Sequence, residues 1–138
     1  MANEAVIVDL GPNGGAPYQY TVAEGTTIEK GTLLKFSDPR TAAAADARFN
    51  NFAGIAAAEK VGSDGSTTLA VYTEGIFDLY AGGEQITAGQ PVILSGTNNI
   101  IVSGASLTAA SGAQVIGIAL ESAAGGTAEY ILVKLRGY

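Results

Sequence analysis

The residues able to do chemistry in this 138-residue chain are mostly carboxylates: thirteen Asp and Glu, with no His and no Cys. Ser-His-Asp and Cys-His nucleophilic catalysis are therefore excluded within the chain. Zinc, haem and iron–sulfur sites built on His or Cys are excluded too. Acid–base work falls to paired carboxylates. The candidates are Asp38 before Pro39, Asp46, Asp64 beside Gly65, and Asp78. Asp38 and Asp64 stand where helix-cap and turn chemistry already favours Asp. The Asp-Thr/Ser-Gly pattern of aspartic proteases does not occur. An all-oxygen cation site needs several acids in one loop, whereas Gly62-Ser63-Asp64-Gly65-Ser66 has one. Gly11-Pro12-Asn13-Gly14-Gly15 lacks the Gly-Lys-Ser/Thr of a phosphate loop and leads into no helix, so it reads as a linker. The expectation is a protein that is not an enzyme and uses no cofactor or metal.

Composition points to interaction instead. Charged residues make up 14% of the chain, against a typical ~25%, and 24 residues are Ala and 19 Gly. A chain so small-residued and weakly charged is expected to have part of its surface covered by a partner. Net charge is −6, and the seven basic residues are scattered. Neither nucleic acid nor an anionic membrane is an expected partner. No apolar run approaches the ~20 residues of a membrane span, and no signal-like start is visible. The ten Tyr and Phe are spread along the chain without Trp, which favours core or subunit-interface roles over a stacking platform.

These residues must be positioned by strands, because helical periodicity is nearly absent. Residues 1–17 read as an arm: an apolar strand, Ala5 to Leu10, then the Gly/Pro linker. Residues 18–138 read as one β-rich body. Its strand-like runs are Tyr18 to Val22, Gly31 to Phe36, Ala53 to Glu59, Thr67 to Thr73, Ile76 to Tyr80, Pro91 to Ser95, Val115 to Glu121 and Glu129 to Arg136. The last alternates Ile131/Val133/Leu135 against Lys134/Arg136, the period of two of a half-buried strand. Gly62–Ser66 is a turn candidate, and Glu74-Gly75 a short hairpin candidate. One or two short helices are expected, over Asp38 to Asp46 (cap Asp, Pro39, alanines), where a surface loop is the alternative, and over Ser106 to Ser111.

A repeat runs through the body. Ile28-Glu29-Lys30-Gly31 through Ser37 lines up with Ile86-Thr87-Ala88-Gly89 through Ser95. Ala53-Gly54-Ile55-Ala56 lines up with Ile116-Gly117-Ile118-Ala119. Two β-units are expected, about 28–80 and 86–136. The arm has no local partner, so it either folds back on its own sheet or adds to another chain's edge.

Tyr20-Thr21-Val22, Ile28 through Lys35, Phe52 through Lys60 and Tyr72 through Asp78 resemble the head decoration (capsid cement) proteins of tailed bacteriophages. Ile86 through Val92 and Val115 through Glu121 are similar more loosely. The resemblance implies an all-β fold, a small barrel or sandwich of β-tulip type with an extended N-terminal arm. It implies a non-enzymatic virion protein, made in the host cytoplasm and bound to the outer surface of the expanded head. Its partners would be the major capsid protein and itself, as a trimer or a dimer. It implies that the protein clamps neighbouring capsid subunits, with Glu4, Ala5, Val6, Ile7 and Val8 of the arm as contact residues. The alternative is a non-catalytic carbohydrate-binding β-module displayed on a virion.

Overall fold

The computed structural model describes residues 3–11, 17–38, 40–47, 50–104 and 114–135, and they form eleven strands and no helix. The first is β1 (Val6–Asp9). A first group follows: β2 (Tyr18–Thr21), β3 (Leu33–Asp38), β4 (Thr41–Ala44), β5 (Phe52–Ala56) and β6 (Thr68–Tyr72). The second group is β7 (Ile76–Ala81), β8 (Pro91–Leu94), β9 (Ile100–Ser103), β10 (Val115–Ala119) and β11 (Glu129–Leu135). The all-β class expected from the sequence is the class observed.

The first group closes into a barrel in the order β2-β4-β3-β5-β6. The second runs β7-β11-β10-β8-β9, with a β7–β9 pairing that closes the ring, and β1 adds to β7. The two rings are the same diagram. Each is closed by one parallel pair, Thr21↔Thr41 in the first and Tyr80↔Ile100 with Ala81↔Ile101 in the second, and its other pairs are antiparallel. Outside the strands, the bridge Ile28↔Lys60 has its counterpart in Ile86↔Ala123.

The Gly-Ile-Ala signature has a packing cause. A Cβ on Gly54 would run into Val71 Cγ1 and the Tyr72 carbonyl; one on Gly117 would run into the Lys134 carbonyl. In both units the neighbouring strand lies too close for a side chain, so glycine is required there.

One large apolar cluster fills the second barrel with Phe77, Leu79, Ile86, Val92, Leu94, Ile101, Ile116, Ile131 and Val133. It also takes in Leu33, Ala45, Phe52 and Ile55 from the first barrel. The first barrel's own cluster is smaller in its side chains: Val22, Ile28, Leu34, Ala42, Ala53, Ala56, Leu69 and Val71. Every residue of β5 is buried because Ala53 and Ala56 line the first cluster while Phe52 and Ile55 enter the second. Asn99 ties the two barrels. It is buried, and its Oδ1 accepts from the Leu33 backbone N–H at 2.9 Å. Pro91 holds the place of Leu33 in the second unit and has no N–H to satisfy.

Three expectations need correction. Asp38 to Asp46 is not helical: Asp38 ends β3, and Thr41–Ala44 is β4, paired antiparallel to β3. Alanine favours helix intrinsically, but Ala42 in β4 and Ala45 just after it are buried as small core fillers, and burial overrides propensity. Ile76 to Tyr80 does not close the first unit. It pairs with β11 and β9 in the second, so Glu74-Gly75 links the barrels instead of turning a hairpin. The Gly62–Ser66 turn does join the paired strands β5 and β6. The linker 12–16 and Ser106 to Ser111 lie outside the described residues.

Candidate functional site

The candidate acids Asp46, Asp64 and Asp78 each have their own neighbours. Asp64 organises its own turn, accepting from Ser66 N–H at 2.8 Å and Val61 N–H at 3.2 Å, with Lys60 Nζ at 3.5 Å. The Ser66 N–H bond is the main reason its carboxyl titrates below the ordinary aspartate value. Asp46 pairs with Lys35 at 2.8 Å, and that partner holds its carboxyl low. Asp78 lies on β7 between Val6 of β1 and Leu132 of β11. Among the described residues no cluster of three or more His, Cys, Asp and Glu could hold a metal. A cleft of about 400 Å³ opens between Thr27, Ile28, Glu29, Thr32, Ala44 and Asn98, with one acid and no aromatic ring on its wall.

The arm is where unusual surface gathers. β1 folds back onto its own molecule, antiparallel to β7, with Val6↔Asp78, Ile7↔Phe77 and, after a bulge, Asp9↔Ile76. Ahead of it, Ala5 N–H donates to the Gly31 carbonyl at 2.9 Å. Gly31 has φ +89°, and a Cβ there would stand 2.9 Å from both the Ala5 carbonyl oxygen and Glu4 Cβ. Only glycine lets the arm cross at this point. Asn3 Nδ2 donates to the Asn98 carbonyl at 3.1 Å, and Tyr130 Oη to the Glu4 carbonyl at 3.3 Å. Through Gly31 and β7, the arm touches both barrels.

Backbone bonds hold β1 while the side chains of Val6, Ile7 and Val8 stay in solvent. Val6 is 52%, Ile7 37% and Val8 48% exposed. Three branched aliphatic side chains on one exposed edge strand are a liability unless something covers them. Across Asp78 from Val6, the outer face of the second barrel carries Tyr80, Tyr130 and Leu132, and Leu120, just past β10, donates its N–H to the Leu132 carbonyl. Tyr130 and Leu120 are 41% and 43% exposed. Tyr80 and Tyr130 meet edge to face, centroids 5.3 Å apart at 72°, so they present no flat stacking platform. Partial burial, and then the charge of Glu4, raises the Tyr130 phenol above its ordinary value.

Sequence reasoning identified Glu4, Ala5, Val6, Ile7 and Val8; the structure pairs Val6 and Ile7 with β7, leaves Val8 at the bulge, and sets Ala5 against Gly31 and Glu4 against Tyr130. It did not single out Tyr130, Leu132 and Leu120. The signal was present in β11, whose face opposite Ile131, Val133 and Leu135 carries Tyr130 and Leu132 as well as Lys134.

A small all-β molecule, built from a repeated barrel and carrying an apolar strand on its edge, suits binding to a larger assembly. A family model described as phage cement protein matches residues 13–135. The chain belongs to the phage cement protein family. Family membership gives it a structural role as capsid cement, located in the virion capsid. The match begins after β1, so Glu4 to Val8 lie outside it. No curated protein gives a significant match.

Proposed function

We propose that this protein cements a phage head from outside. It binds the outer surface of the expanded shell as a homo-oligomer, a trimer in the simplest case, and clamps neighbouring major capsid subunits without catalysing any reaction. The contact includes Glu4, Ala5, Val6, Ile7 and Val8. The observation that supports this is β1 itself, an edge strand with a second edge open among the described residues and three aliphatic side chains in solvent.

β-Strand addition would use that open edge for backbone bonds and the side chains for anchoring. Covering the exposed halves of Val6, Ile7 and Val8 would contribute roughly 1 kcal/mol each. Many such modest contacts made at once on one lattice give tight attachment by avidity.

The test mixes purified protein with expanded, undecorated capsids and measures bound stoichiometry and the shells' thermal disruption temperature. The full chain is expected to saturate at a symmetry-matched ratio and to raise the disruption temperature. A variant lacking residues 1–10 is expected to stay folded and to lose binding roughly 100-fold, the fold-change equivalent of about 3 kcal/mol. Unchanged binding by that variant would remove the arm from the contact.

A further inference from the structure

The repeated diagram makes β2 the counterpart of β7. Matching the parallel closures sets Thr21 against Tyr80, hence Gln19 against Asp78 and Tyr18 against Phe77. On β7 one edge is shared: Tyr80 and Ala81 pair with β9, while Ile76, Phe77 and Asp78 pair with β1. On β2 the same edge is half used. Thr21 pairs with Thr41, but among the described residues no strand lies along Tyr18 and Gln19 on the side away from β6. Tyr18 there is 58% exposed, the most exposed of the large apolar side chains among the described residues.

A side chain stands in for the strand. Arg40, in the left-handed region at φ 52°, donates from Nη2 to the Gln19 carbonyl at 3.0 Å. A cation blunts an open edge and keeps copies from pairing at random. It also selects a partner. An incoming segment with an acidic residue near Gln19 would meet the Arg40 guanidinium there.

The occupant does not come from arm exchange. A second copy's β1 moved onto β2 would uncover residues 76–78 of its own β7, so the number of open edges would not fall. A strand from another protein does reduce it.

We propose that the 17–19 edge of β2 is a second strand-docking site, which takes an extended aliphatic segment of the capsid shell with an acidic residue facing Arg40. This rests on the cement reading and deepens it. β1 on one barrel and the β2 edge on the other give the molecule two separate grips, as a clamp between neighbours requires.

The chain has no Cys, so Tyr18→Cys creates a unique thiol for a benzophenone photocrosslinker; Ser63→Cys, on the exposed β5–β6 turn, is the control. Each labelled protein is bound to expanded, undecorated shells and irradiated. The expected result is crosslinking to the shell protein from position 18 and not from 63. A synthetic peptide of residues 3–10 should suppress it, and Arg40→Glu should weaken that peptide's binding tenfold or more. Crosslinks from position 18 only to sister copies would overturn the proposal in favour of self-pairing. Saturated shells without a crosslink from position 18 would overturn the docking site and leave the cement function standing. Failure of the unmodified protein to bind shells would overturn both.

Discussion

The two barrels pair their strands alike and stabilise them differently. The second is filled with large aliphatic side chains and Phe77, and it carries β1 on its β7 edge. The first is lined with more alanine, borrows part of its packing by sending Leu33, Phe52 and Ile55 into the second barrel's cluster, and buries the Lys60 side chain. The loop after β2 shows the contrast. Lys60, 1% exposed, donates from Nζ to the Glu24 carbonyl at 2.6 Å and the Thr26 carbonyl at 3.1 Å. Its counterpart is Ala123, and there Gly126 N–H donates to the Gly83 carbonyl at 2.6 Å instead. One diagram thus tolerates a buried ammonium in one copy and a methyl group in the other, provided the loop carbonyls find donors.

Removing Lys60 should therefore break the symmetry most. Lys60→Ala is expected to cost about 3–5 kcal/mol by chemical denaturation, because it strands two carbonyls and empties a buried volume. Lys60→Met keeps most of the volume and should recover part of that loss. Next in size are the twin glycines. Gly54→Ala and Gly117→Ala should each cost roughly 2–4 kcal/mol, since the added methyl meets neighbouring chain in both barrels. A loss at only one of them would show that the close approach matters in one unit alone. Asn99→Ala should cost about 1–3 kcal/mol by orphaning the Leu33 N–H. Asn99→Gly, which tolerates the φ of 59°, should separate backbone strain from the missing acceptor.

The smallest effect is a pH dependence confined to the first barrel. Asp64 titrates below its ordinary 3.8 chiefly because Ser66 N–H stabilises the carboxylate. A depressed folded-state value stabilises the fold above the ordinary value, and that contribution is lost as pH falls through the lowered one. NMR titration should place the Asp64 carboxyl below 3.8, and Asp64→Asn should flatten the acid limb of stability. An unshifted Asp64 would remove the polar turn from the comparison.

Much of this was legible in the residues. Gly-Ile-Ala appeared twice because a close strand approach requires the glycine in each unit, and that made the repeat visible. The two strands that went unread, β4 and β9, occupy the same place in the two rings. β4 is Thr-Ala-Ala-Ala, whose local preference is helical, and β9 is Ile-Ile-Val-Ser, a continuous apolar run without alternation. Both are the parallel partners that close a barrel, and closure is a long-range property that a short window does not contain. Val6 to Val8 stood out as an apolar strand without a local partner. That β7 would be the partner could not be read, because its edge is divided between β1 and β9 over six residues.

The pairing of β1 with β7 also sets a timetable. During synthesis Val6, Ile7 and Val8 leave the ribosome long before Asp78 and Phe77 exist to receive them. Through that interval a short, β-prone, aliphatic segment waits unpaired, the kind of sequence that nucleates aggregation. Glu4 and Asp9 bracket it as gatekeepers, charges that discourage stacking of like segments. The acids at either end of the arm thus guard the nascent chain before the arm has anything to hold.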